Sequence, residues 1–230
     1  MSKSQYLETI LSGIIKASKL YPTILVKLLP SIDRSHGLKA GEETISIVLE
    51  SLKNEEFKNI IKGIDFSGNP EKGKFYEFKD LLNKCRNSGL QLAVHCGEIR
   101  NPCEIRDMLE FGMDRCGHGT FINDHNLENL MKKNIPIECC LSSNVACGTV
   151  KDFNEHHFHQ FFTRKHPVVI CTDDFGIFSS NLSSELIIAA NTFSLTKTDI
   201  LTLCLNAINA SFASLDEKKC LRKKINYYFK

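Results

Sequence analysis

The chain has 230 residues, 42% of them apolar and 24% charged, with 29 Lys and Arg against 27 Asp and Glu. That length and balance suit a folded chain with a sizeable core and exclude a disordered tail, a collagen-like chain or a low-complexity polymer. A formal charge of +2 gives no electrostatic footprint for nucleic acid or a membrane surface, no apolar run approaches the roughly 18 residues of a membrane span, and the N-terminus MSKSQYLETILSG carries no secretory or transit pattern, so a cytoplasmic address is expected.

Six apolar runs follow one another along the chain: 24–33, 60–68, 90–98, 113–120, 135–144 and 167–174. Several are apolar continuously rather than alternately, as strands covered on both faces are. Amphipathic segments lie between them. Ile45, Val48, Leu49 and Leu52 follow the spacing of one helix face. Phe75, Phe78, Leu82 and Cys85 predict the next helix, with Gly89 where a C-terminal cap belongs. Pro102 and Gly112 bracket another, and Thr196 with Asp199 predicts a capping-box start to an apolar helix through Leu201, Leu205 and Ile208. The Lys/Arg-rich end EKKCLRKKI is expected to be a solvated helix terminus.

Strands alternating with helices over short connections imply parallel pairing with right-handed crossovers. There is no internal repeat and no linker rich in Pro, Gly or Ser, so a single domain over 1–230 is the simplest division. An open doubly wound sheet and a closed barrel both fit this count. Five of the six runs end in groups that a plain strand exit would not require: Asp33, Ser67-Gly68, His95 with Glu98, His118, and Asp173-Asp174. A parallel barrel delivers every strand's C-terminal end to one mouth, where such scattered residues converge. An open sheet would spread them along an edge. The pattern therefore favours a TIM-type parallel barrel.

The chemistry these residues suggest is metal-assisted. An imidazole from His95 and a carboxylate from Asp173 are both zinc ligand types. Glu98 suits a general acid or base beside the metal, and His118 suits orienting or deprotonating a water. Asp174 is left to hold substrate, and Gly68 can present a backbone N–H at close range. The ten cysteines include no C-x-x-C pair, and several lie in apolar runs such as IECCL and VVICT. They read as small buried hydrophobes in a reducing compartment.

HCGE (95–98), RCGHGT (115–120), IECCLSSNV (137–145), VICTDD (169–174) and GIDFSGNP (63–70) together resemble the adenosine deaminase family. The segment HHFHQFFTRKHPVVICTDDFG and the closing helices LSSELIIAANTF and LCLNAINASFAS are most similar to its N6-methyl-AMP deaminase branch. The resemblance runs from about residue 5 to 225. It implies that His95 and Asp173 are zinc ligands and that Glu98 protonates the purine ring nitrogen beside the attacked carbon. It further implies that His118 assists the attacking water and that Asp33, Gly68 and Asp174 contact substrate. The implied reaction is hydrolytic removal of the alkylamino group from N6-methyl-AMP, giving IMP and methylamine, in a monomer that takes a purine nucleotide and neither nucleic acid nor membrane. Adenosine or AMP deaminase activity, or a catalytically incomplete form acting only through association, are the alternatives.

The chain departs from the family in a small way at Asn69, where the branch often has Asp, and in a large way upstream of Asp33. The family's first strand ends in an H-x-H motif that supplies two more ligands to its one zinc ion, and no His precedes His36 here. The one H-x-H in the chain, His157-Phe158-His159, falls late, and His156, His157, His159 and His166 read as a surface or packing cluster. The six runs match family strands three to eight. The expectation is thus a barrel with six of its eight strands in this chain, N-terminally truncated, its activity alone in question.

Overall fold

The computed structural model describes residues 1–229, which gather into two compact units, one over Met1–Ala93 and one from Val94 onward. In the first unit, α1 (Lys3–Leu20) starts at Ser2, whose hydroxyl accepts from the Gln5 N–H while the Gln5 carboxamide oxygen accepts from the Ser2 N–H. This reciprocal cap satisfies two donors that a helix start leaves open. After it come β1 (Ser31–Asp33), α2 (Leu38–Ser51), α3 (Glu55–Ile60), β2 (Gly63–Ser67) and α4 (Phe75–Asn87). The next strand, β3 (Gln91–Cys96), crosses the division between the units. β1 and β2 run parallel with Ser31 opposite Asp65 and Asp33 opposite Ser67. The two strands and their helices bury Ile32, Ile45, Val48, Ile64, Phe66, Phe78 and Leu82. Phe66 meets the Phe75 and Phe78 rings edge-on at 5.7 and 5.1 Å.

The second unit continues with α5 (Pro102–Phe111), β4 (Arg115–His118), α6 (Asp124–Lys132), β5 (Ile137–Cys139), α7 (Leu141–Ala146), α8 (Phe158–Thr163), β6 (Val168–Ile170), α9 (Phe175–Phe178), α10 (Leu182–Phe193), α11 (Lys197–Ala210) and α12 (Leu215–Tyr228). β4, β5 and β6 are parallel, with Gly117 opposite Glu138 and Cys139 opposite Ile170. Their core is Cys116, Ile137, Cys139, Val168, Phe158, Phe161 and Leu203. The six strands are hydrogen-bonded in chain order, β1 to β6, with helices between them, the α/β arrangement the alternating runs predict. Among the described residues no helix is long and apolar enough to cross a membrane.

The helix boundaries follow their caps. Gly89 and Gly112 sit just past α4 and α5 with φ of 82° and 86°, and Thr196 with Asp199 forms the expected capping box of α11. α12 buries none of its residues, as its charge pattern predicts. Two runs differ from expectation. The run 24–33 yields only the three residues of β1, plus an isolated bridge from Leu28 to Ile61, and Ile24 and Leu25 are each 60% exposed. Pro30 has no N–H to give a ladder, although its carbonyl accepts from the Asp65 N–H at 3.1 Å, so the continuous strand starts only at Ser31. The run 135–144 leaves the strand at Cys139 and turns into α7, whose Ser142 N–H is taken by the Glu185 carboxylate at 3.1 Å. All ten cysteines are free thiols.

Candidate active site

In the second unit, His95 and His118 lie on neighbouring strand ends and Glu98 on the turn after β3. The nitrogen and oxygen ligand atoms of these three residues all fall within 4.8 Å of one another. Glu98 stands between the imidazoles, with Oε2 3.9 Å from His95 Nδ1 and Oε1 3.7 Å from His118 Nε2. The two rings meet edge to face with centroids 4.9 Å apart. Gly117 makes room for this: a Cβ there would lie 2.7 Å from His95 Cδ2. Its role is steric, and no sequence pattern announces it.

Asp173 reaches the same place from the end of β6. It forms a second group with His118 and Cys140, again with ligand atoms within 4.8 Å. Asp173 Oδ2 accepts a hydrogen bond from Ser143 Oγ at 2.6 Å, which fixes the carboxylate from the first turn of α7. His118 therefore belongs to both groups and links them. Cys140 does not compete as a thiolate. A hydrogen bond with the Cys171 side chain, and then burial, push its pKa far above the ordinary thiol value.

The backbone sets these two residues apart. Among the described residues, six other than glycine have positive φ. Asn134, Lys165, Ser179 and Ser194 are at or just past helix C-termini, where such a conformation commonly ends a helix. The remaining two are His118 at 61° and Asp173 at 55°, each at or beyond a strand's C-terminal end. Strain of this kind persists where surrounding structure holds it, and it concentrates at functional sites.

Behind His118 lies a buried polar layer. Asn144 Nδ2 is 3.4 Å from His118 Nδ1, and its Oδ1 is 3.1 Å from His156 Nε2. His157 Nε2 donates to the His118 carbonyl at 2.8 Å. His156 and His157 stack with centroids 4.2 Å apart. His156, His157 and His166 are buried, whereas His159 is exposed and stacks on Phe193. His157 and His159 thus face different surroundings. A third group of ligand types, Cys139, His156 and His157, is also close-knit. Both His156 nitrogens are already engaged, since Nδ1 accepts from the Phe158 N–H, and burial pushes the Cys139 thiol well up. In that group His157 Nδ1 is left without a hydrogen-bond partner among the described residues, while His157 Nε2 is committed to the His118 carbonyl. The adjacent histidines between the fifth and sixth apolar runs are the sequence signal for this layer, and they do not reveal their partners.

The donor types beside Glu98 suit zinc: a neutral-capable imidazole and a carboxylate held by a second group. His95 and Asp173 are of ligand type and each shares a group with His118; taken as ligands they would number two, where catalytic zinc sites use three or more. Asp174 is exposed, and its carbonyl accepts the N–H groups of Ile177 and Phe178.

Asp33 and Gly68 belong to the first unit. Asp33 Oδ1 accepts from the Ser35 N–H at 2.9 Å and the Ser35 hydroxyl at 2.5 Å. Burial raises its pKa, but the Ser35 side-chain and backbone donors, His36 and Lys72 lower it further, below the ordinary carboxylate value. Gly68, at φ 97°, is packed so closely on Asp33 that a Cβ would run into that carboxylate. Neighbouring Arg34 is 4% exposed, donates to the carbonyls of Lys72 and Gly73 at 2.9 and 2.6 Å, and stacks over Phe66. It pins the loop that follows β2, a role that no sequence pattern announced.

The family model described as adenosine deaminase matches residues 1–228. The adenosine deaminase-like protein of Drosophila melanogaster is 46% identical over 227 residues, which cover 99% of this chain and 67% of that protein. The N6-methyl-AMP deaminase of Homo sapiens is 37% identical, with 99% and 65% covered. The crystal structure of Arabidopsis ADAL complexed with IMP superposes with a TM-score of 0.89 at 34% identity, over 99% of this chain and 67% of that one. The chain spans about two thirds of the length of the curated relatives it matches.

Proposed function

The chain belongs to the adenosine deaminase family, and from that premise we propose that it carries the catalytic residues of a hydrolytic deaminase acting on N6-substituted AMP. The reaction is N6-methyl-AMP plus water giving IMP plus methylamine. The observation that carries the reading is the grouping of Glu98 with His95 and His118, and of His118 with Asp173. Support for the substrate comes from relatives named N6-methyl-AMP deaminase and from a related structure holding IMP.

In this reading His95 and Asp173 hold zinc, which when bound supplies a Lewis acid and lowers the pKa of a water so that a nucleophile is present near neutral pH. Glu98 passes a proton to the purine ring nitrogen beside C6, which draws electron density away from the carbon under attack. His118 directs its Nε2 toward the oxygen arriving at C6. Ser143 holds Asp173 in place so that its charge stays aimed at the metal. Asp174, Asp33 and Gly68 take roles in holding the purine nucleotide. The molecule then works as a soluble monomer of the cytoplasm on a small-molecule substrate.

The test is metal analysis of the purified chain together with turnover of N6-methyl-AMP, AMP and adenosine, each followed by ultraviolet absorbance. Bound zinc and release of IMP from N6-methyl-AMP in preference to the other two support the proposal. Preference for adenosine or AMP replaces the substrate assignment. A zinc-supplied chain that converts none of the three overturns the enzymatic reading and leaves action through association.

A further inference from the structure

The buried layer behind His118 contains one donor whose direction is beyond dispute, and the rest of the layer can be assigned from it. The backbone N–H of Phe158 points at His156 Nδ1 at 3.0 Å, so that nitrogen is an acceptor and carries no proton. A neutral imidazole with an unprotonated Nδ1 has its proton on Nε2. His156 is buried, and burial first, then the neighbouring His157 and His118, hold its pKa at about 3, so the ring is neutral near pH 7. His156 Nε2 therefore donates across 3.1 Å to Asn144, which fixes the carboxamide oxygen on that side. An independent contact agrees. The Thr149 hydroxyl spends its proton on the Asn144 carbonyl at 3.0 Å, and so accepts from Asn144 Nδ2 at 3.3 Å. With the amide oriented in this way, Nδ2 also faces His118 Nδ1, 3.4 Å away. The acceptor there is the His118 lone pair.

We infer that His156 and Asn144 are positioning residues that hold His118 as its Nε2–H tautomer, with the N–H presented toward Glu98 and the reaction site. The inference rests on the functional reading only for the use to which His118 is put; the tautomer itself follows from the hydrogen-bond directions. His157 completes the arrangement from the main-chain side by donating to the His118 carbonyl at 2.8 Å, which steadies the residue in its positive-φ conformation. The consequence is that His118 enters the site as a hydrogen-bond donor aimed at the oxygen arriving on C6, not as a lone pair awaiting its proton. Two side chains that touch no substrate thus decide which end of the imidazole is active. This is an outer-layer role of the kind that fixes tautomers at metal sites.

Nitrogen-15 NMR of the histidine rings in the full chain reads this directly, because protonated and unprotonated ring nitrogens resonate in separate ranges. The His118 signals are identified by their loss in His118→Gln. Near neutral pH the wild-type chain is expected to show His118 with Nε2 protonated and Nδ1 bare, and His156 with the same tautomer. In Asn144→Asp the carboxylate only accepts, so His118 is expected to move its proton to Nδ1. His156→Gln, which can still donate to Asn144, is expected to keep the wild-type His118 pattern, whereas His156→Phe is expected to lose the single tautomer. A wild-type His118 protonated at Nδ1, or a His118 pattern unchanged in Asn144→Asp, overturns the inference. The wild-type spectrum alone suffices if a variant fails to fold. The measurement needs neither metal nor substrate, so its outcome is separate from that of zinc binding and turnover.

Discussion

Oε1 of Glu98 lies 3.7 Å from Nε2 of His118, and its other oxygen lies 3.9 Å from Nδ1 of His95. One carboxyl group thus spans the space between an imidazole assigned to the metal and one assigned to the incoming oxygen. Glu98→Gln keeps the shape and removes the transferable proton. It is expected to reduce turnover of N6-methyl-AMP by about 10²- to 10⁴-fold, the usual contribution of a positioned general acid, with zinc content unchanged. Metal analysis and absorbance assays on the same preparation check both halves.

Gly117 is held to its size by the ring beside it. In Gly117→Ala the new methyl would meet His95 Cδ2 at 2.7 Å and His95 Cα at 3.2 Å, so the strand or the ring must move. Overpacking of this sort costs about 1–3 kcal/mol. The expected outcome is a lower unfolding midpoint in denaturant together with weakened zinc binding, because the displaced ring is the proposed ligand. A variant with normal metal affinity and normal stability would mean that His95 has more room than these distances allow.

The buried histidine pair sets an acid limit. In the fold, burial and then His157 and His118 hold His156 at about 3. His157 is held at about 4 by burial, partly offset by its bond to the His118 carbonyl. Both groups have an ordinary value of 6.5, which the unfolded chain recovers. The sign follows: below pH 6.5 the unfolded state takes up protons that the folded state refuses, so the stability held above that pH is lost as pH falls toward the folded values. A tenfold difference in proton affinity between the two states corresponds to about 1.4 kcal/mol, so denaturant midpoints are expected to fall steeply from neutral pH to about 5. His156→Gln, which cannot charge, is expected to make that fall shallower.

Glu185 is fully buried in the first turn of α10, and its Oε2 accepts the Ser142 N–H at the start of α7. Glu185→Ala leaves that N–H without its acceptor inside the protein, at a cost of about 1–3 kcal/mol. Because Ser143 follows immediately and holds Asp173, thermal unfolding and zinc affinity are expected to drop together. Glu185→Gln retains an acceptor oxygen and is expected to be the milder change in a calorimetric scan.

How much of this was legible in the sequence varies by the reach of the interaction. Continuous apolar runs ending in His95, His118 and Asp173 gave both the strands and the residues at their ends, because a strand's period and its terminus are local properties. The helix caps at Thr196, Gly89 and Gly112 were readable for the same reason. The run 24–33 misled because apolarity is necessary for a buried strand but does not supply a partner, and before β1 its pairing amounts to an isolated bridge at Leu28 and one hydrogen bond to the Pro30 carbonyl. Ser143, Asn144 and His156 were not legible as a supporting layer. Asn144 meets His118 across 26 positions and Ser143 meets Asp173 across 30, and nothing in the spacing of a serine or an asparagine encodes a distant partner. Arg34 was hidden likewise, since an arginine beside a turn reads as solvated until its loop partners Lys72 and Gly73 are in view.

The unusual φ of 61° at His118 has a use at the bench. Glycine takes up that backbone shape at little cost, so His118→Gly empties the side-chain slot while the strand end keeps its course. The vacated space has the outline of a small heteroaromatic ring, with the Asn144 amide still waiting on one side and Glu98 on the other. Imidazole added to the buffer is expected to lodge there and return part of the lost turnover in a saturable way, whereas His118→Val, a branched side chain forced into the same backbone, is expected to gain nothing. The covalent tether, on this view, is the least important thing holding that ring where it acts.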